Sequence, residues 1–80
     1  MDIILKNTTQ SSIKINDIGI IITPNQNSVS NYSEIDRFKY STELRTLIES
    51  GNIVVNNGVS DLSINDALIF LGFIKDEKEF

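Results

Sequence analysis

The chain has 80 residues, with seven Lys and Arg against eleven Asp and Glu, a formal charge of −4, and neither histidine nor cysteine. That composition excludes a disulfide staple, the usual zinc ligand sets and any Ser-His or Cys-His nucleophile. The few cations are scattered singly, so no nucleic-acid partner is expected, and a chain this short buries only about 60–65% of its unfolded surface, which leaves self-association as the available support for its core.

In chain order, Asp2 to Asn7 is a short apolar run, DIILKN, closed by the polar cluster Thr8-Thr9-Gln10-Ser11-Ser12 that predicts a turn between strands. The opening residues carry no basic region, and no apolar run approaches the roughly 20 residues that cross a bilayer, so synthesis in the cytoplasm and no membrane partner are expected. Ile13, Ile15 and Ile18 alternate with Lys14 and Asn16, the period of a strand with one wet face. Asn16-Asp17-Ile18-Gly19 turns the chain, and Ile20-Ile21-Ile22-Thr23 is apolar enough to predict a central strand, ended by Pro24. In the polar segment from Asn25 to Asn31 only Val29 argues for a brief strand. Ser33 and Asp36 have capping-box spacing, which predicts one helical turn carrying Ile35, Phe38 and Tyr40 inward, with an extended edge as the alternative.

Residues 41–58, STELRTLIESGNIVVNNG, carry the densest signals. Ser41 is placed to cap a helix whose positive end Glu43 favours, and Leu44, Leu47 and Ile48 form its apolar stripe. Gly51 supplies the left-handed stop, Ile53-Val54-Val55 is a stiff β-branched strand, and Asn57-Gly58 predicts a type I′ turn with Ser60-Asp61-Leu62 returning as a short second arm. Ser63 and Asp66 repeat the capping-box spacing and open a last helix, INDALIFLGFIKD, with Gly72 as a point of interruption. On it Ile64, Leu68 and Leu71 share one face while Ile69, Phe70 and Phe73 occupy the others. A helix apolar nearly all round is either core or an assembly interface. The interface is favoured, because fully burying such side chains is worth about 1.5–3 kcal/mol each and a domain this small cannot surround them all. The expected contact residues are therefore Leu68, Ile69, Phe70, Phe73, Ile74 and Phe80, with the hairpin tip Asn56, Asn57 and Gly58 as a second site. A single domain over residues 1–73 with a charged tail over residues 74–80 is the economical division.

Chemical motifs are sparse. Glu43 with Glu49, or Asp61 with Asp66, could pair as carboxylates, but these positions lie at helix ends and turns where acids occur for capping. Residues 61–66 open like a calcium loop, then place Asp66 where a glycine is needed and Gly72 where a bidentate glutamate is needed. Two glycosylation sequons, Asn7-Thr8-Thr9 and Asn31-Tyr32-Ser33, lack a secretory context. No catalytic residue, cofactor or metal is expected, and the fold class predicted is α+β: a small, mostly antiparallel sheet or partial barrel with two or three short helices.

Three stretches carry a resemblance: Ile4-Leu5-Lys6-Asn7-Thr8-Thr9; the run from Ile13 through Gly19-Ile20 to Pro24; and Leu44 through Leu47-Ile48, Gly51 and Ile53-Val54-Val55-Asn56-Asn57-Gly58. Together they resemble small virion-associated structural modules of tailed bacteriophages, of the kind found as capsid, neck or tail decorations and at the base of fibres. The resemblance implies a non-enzymatic role in the virion, made in the host cytoplasm, with other virion structural proteins and further copies of the chain as partners. Fibre proteins continue into a repetitive shaft after such a base; this chain ends at Phe80, which favours a decoration, adaptor or neck component. A small phage-encoded regulator or inhibitor of a host protein is the alternative, and an enzyme subunit completed by a partner is the third class.

Overall fold

The computed structural model describes residues 1–75 and has an α+β fold, as the sequence predicts. Its first strand is also its central one. Strand β1 (Asp2–Asn7) lies between β4 (Asn27–Asn31) and β5 (Ile53–Asn56), antiparallel to both, while β2 (Ile13–Ile15) and β3 (Ile20–Ile22) form a separate antiparallel hairpin. Alternation along β1 sends Ile3, Leu5 and Asn7 inward and Asp2, Ile4 and Lys6 outward. Ile53 and Val55 of β5, Ile13 and Ile15 of β2, and Ile22 of β3 join Ile3 and Leu5 in one core.

Helices complete that core. A 3₁₀ turn (Tyr32–Glu34) leads into α1 (Ile35–Phe38), which buries Phe38 fully. Helix α2 (Thr42–Glu49) contributes Leu44 and Ile48, and α3 (Ile64–Phe70) packs on α2 and β5 through Ala67 and Leu68. Ser41 caps α2 as predicted, its hydroxyl accepting from the Leu44 N–H at 3.1 Å, and Ser63 does the same for Asp66 at 3.2 Å. Both helices end in Schellman motifs. The Gly51 and Asn52 N–H groups close on the carbonyls of Ile48 and Leu47, and those of Gly72 and Phe73 close on Ile69 and Leu68. Gly51 (φ +83°) and Gly72 (φ +86°) supply the left-handed residue that each motif needs.

Several sequence expectations are corrected. The isoleucine run of β3 is not central: it belongs to the two-stranded hairpin, and Ile21 is 63% exposed because only Ile22 faces the core fully. The capping box sits two residues earlier than read, on Asn31 and Glu34, since Asn31 is the last extended residue before the turn. Tyr40 points outward, 78% exposed. Residues two apart on a helical turn lie on opposite sides, so with Phe38 inward Tyr40 is sent out. The turn after β5 is a four-residue loop over residues 57–60, closed by an Asn56↔Asp61 bridge, and of Asn57 and Gly58 only Gly58 has positive φ. The last helix stops at Phe70, well short of the predicted run to residue 76, because the expected interruption at Gly72 reverses the chain.

Candidate interaction surfaces

The predicted contact residues of the last helix do not share one open face. Leu68 is only 7% exposed and is part of the core, which corrects its assignment to an interface. Ile69 and Phe70 are half-buried, and the Phe70 ring rests on Tyr32 with centroids 5.1 Å apart while the Tyr32 hydroxyl donates to the Phe70 carbonyl. The Gly72 reversal carries Phe73 and Ile74 back against the core, where both stay half-buried. Phe80 lies outside the described residues. The all-round apolar character of this helix thus divides: Ala67, Leu68 and Leu71 are core, and the aromatic remainder covers the end of the fold.

What remains open there is a small cleft of about 130 Å³ lined by Phe73 and Tyr40 and bounded by Lys39, Ser41, Thr42 and Arg45. Its cations are not free. Lys39 pairs with Asp36 at 3.0 Å and Arg45 with Glu49 at 3.2 Å, and the Lys39 ammonium sits 5.1 Å over the Tyr40 ring. The Asp36 hydrogen bond, more than its charge, holds the Lys39 ammonium above its ordinary pKa. The result is an exposed aromatic group with a rim of ion pairs rather than a groove of free charge. The sequence expectation places Tyr40 in the core; its two-residue offset from Phe38 is the signal that sends it to the surface.

At the hairpin tip the side chains are consumed by the loop itself. Asn56 donates to Asp61 at 2.9 Å and accepts from the Gly58 N–H, while Asn57 accepts from Val59 and Ser60. The apolar group presented there is Val59, 90% exposed, which no periodic pattern marks. Asp61 also pairs with Lys6 at 2.8 Å, and the hydrogen bond from Lys6, then that from Asn56, holds its carboxyl below the usual carboxylate range. A carboxyl kept ionised in this way is a poor proton donor at neutral pH.

A second hollow, of about 350 Å³ and widely open, lies between β2 and α2, lined by Lys14, Thr42, Glu43, Thr46 and Leu47. Its carboxylate, Glu43, already accepts from the Asn16 N–H at 2.9 Å, fixing the loop between β2 and β3. Both sequons serve structure. Asn7 is 8% exposed with its amide nitrogen on two carbonyls, and the Asn31 side chain accepts from Ser33. Among the described residues, no group of three or more acidic, His or Cys side chains could hold a metal ion, no helix is long and apolar enough to cross a membrane, and no buried side-chain nitrogen or oxygen lacks a partner. No family model matches the chain, and neither a curated protein nor a solved structure does.

Proposed function

We propose that this chain is a non-enzymatic structural protein of a bacteriophage particle, docking on another virion protein as a decoration, adaptor or fibre-base component. The observation that carries the docking role is the Tyr40–Phe73 cleft: an aromatic centre, with Tyr40 78% exposed, rimmed by two ion pairs. Tyrosine is enriched in the few residues that dominate binding energy, and a balanced rim costs little to desolvate partially. The virion setting rests on the resemblance of the strand and turn segments set out above.

The chain is followed through gradient-purified particles by mass spectrometry, alongside a Tyr40→Glu variant that leaves the core untouched. The expected result is a fixed copy number per particle for the unaltered chain and about tenfold or greater depletion of the variant, as for loss of a central aromatic contact. Equal incorporation of the variant overturns the cleft as the docking site. Absence of the unaltered chain from particles overturns the virion role and favours a regulator of a host protein.

A further inference from the structure

Strand β4 closes one side of the three-stranded sheet, and its ladder hydrogen bonds run to β1 alone. The Tyr32 N–H donates to the Met1 carbonyl at 2.8 Å, and the β1–β4 register runs from Asp2↔Asn31 to Lys6↔Asn27. Antiparallel alternation then places the bonds to β1 on Ser28, Ser30 and Tyr32, and turns the backbone groups of Asn27, Val29 and Asn31 away from the sheet. Glu34 accepts from the Asn31 N–H at 3.3 Å. On that outer side the Val29 backbone has no hydrogen-bond partner among the described residues.

Edges of this kind are normally shielded by lysine, proline, a bulge or an inward charge. Here the strand itself is Asn-Ser-Val-Ser-Asn, uncharged and without proline, and the charge on its outer side is the Glu34 carboxylate at the Asn31 end, which leaves the stretch from Asn27 to Val29 unshielded. The strand also reads the same in both directions. We propose that a second copy of this chain pairs with β4, antiparallel, about a two-fold axis through Val29. That register sets Val29 against Val29, Ser28 against Ser30 and Asn27 against Asn31, so every side chain meets an identical or equivalent one, as an isologous interface requires. The outward groups exchange backbone bonds: a mutual pair between the two Val29 residues, and an Asn27 N–H to Asn31 carbonyl bond in each direction. Two three-stranded sheets become one of six strands. On the outer side Ile4 lies opposite Val29 in the existing register, so pairing builds an apolar row of Ile4, Val29, Val29 and Ile4 across the junction.

Charge decides why this edge and not another surface joins the copies. Each copy carries a formal charge of −4, so association must occur where that charge is locally absent. The nearest carboxylates on the edge, the two Glu34 side chains beyond Asn31, would be about 14 Å apart, four strand steps, which exceeds the Debye length of about 8 Å at physiological salt. The proposal needs no particle and stands independently of the docking role of the Tyr40–Phe73 cleft.

The test uses the full chain: light scattering from micromolar to millimolar concentration, with amide exchange measured at Val29. A dimer is expected that grows with concentration and slows exchange of the Val29 amide. Val29→Asp, which sets two carboxylates face to face, should raise the dimer dissociation constant about tenfold or more, whereas Val29→Thr keeps the shape and the dimer. Val29 is 62% exposed and its N–H does not serve the β1 ladder, so below the concentrations at which the dimer forms Val29→Asp should melt cooperatively and only slightly below the unaltered chain, the difference being its lost contact with Ile4. A chain monomeric at millimolar concentration overturns the proposal. So does a dimer whose Val29 amide exchanges at the monomer rate, a reading that holds even if the Asp variant fails to fold. A dimer that survives Val29→Asp but is lost on replacing Ile69 and Phe73 with serine moves the contact to the last helix and overturns it too.

Discussion

The side-chain amide of Asn7 donates to the carbonyl oxygen of Ile22 at 2.9 Å, and this bond fastens the end of the central strand to the separate β2–β3 hairpin. The same amide donates to the Ser11 carbonyl at 2.8 Å, and its oxygen accepts from the N–H and hydroxyl of Thr9. One buried side chain therefore closes the turn after β1 and joins two sheets.

Replacing Asn7 with alanine removes both donors and leaves the Ile22 carbonyl buried without that partner. The expected loss is about 2–4 kcal/mol, a large share of the roughly 4–12 kcal/mol available to a domain of this length. Urea midpoints measure it. Asn7→Asp tests the donor role more sharply. A carboxylate there faces two carbonyl oxygens, so its folded pKa must rise, and the variant should gain stability as pH falls and lose it as pH rises through that raised value.

Gly51→Ala and Gly72→Ala should differ in cost although both residues sit at the same position of a Schellman motif. Forcing an L-residue into left-handed backbone costs about 1–2 kcal/mol at either site. At Gly51 an added methyl group would meet nothing within 4 Å, whereas at Gly72 it would lie 3.4 Å from the Lys39 Cβ. That is an ordinary van der Waals contact, which Gly51→Ala would lack, so with equal backbone strain Gly72→Ala should be the less destabilising of the two. Paired thermal melts decide this.

Ser41 is a cap with a second duty. Its hydroxyl donates to Asp17 at 2.6 Å while accepting from the Leu44 N–H, so the loop between β2 and β3 is anchored through the start of α2. Ser41→Ala should cost about 1–2 kcal/mol. In a double-mutant cycle with Asp17→Ala the coupling should fall in the 0.5–3 kcal/mol range expected of residues sharing one network; strict additivity in chemical denaturation would show the anchor to be idle.

Acid should reveal the Lys6–Asp61 pair. The Asp61 carboxyl is held below its ordinary value, so its contribution is present at neutral pH and is lost as pH falls through the depressed folded pKa, in a window below about pH 4. Lys6→Met removes the main cause of the shift. Melting temperatures of the two forms should differ slightly at neutral pH, since the pair is exposed, and converge in that acid window. A constant gap down to the lowest pH measured would contradict this origin.

Local signals in the sequence survive folding where one residue type answers one geometric need. Ser41, Gly51 and Ser63 do so, and the segment from α2 to β5 was legible for that reason. The isoleucines of β3 were not, because apolarity reports a wish for burial and not the number of faces a small fold can cover. Polar β4 was visible only through Val29, and its place beside β1 depends on pairing between residues far apart in sequence. The aromatic cap on the fold was hidden for the same reason: nothing local to Tyr32 announces Phe70. Much of the last helix read as interface because its core partners, Leu44 and Ile48 of α2 and Val55 of β5, could not be counted in advance.

The central place of β1 also fixes an order of events during synthesis. Both of its neighbours are made after it, β4 some twenty residues later and β5 later still. At about 5–20 residues per second, β1 would wait roughly 1–5 s for its first partner and roughly 2–10 s for its second. Until β4 arrives a bare run of Ile3, Ile4 and Leu5 is open on both edges, and until β5 follows it is open on one, so ribosome-proximal chaperones or neighbouring nascent chains meet this protein at its most adhesive before its sheet can close.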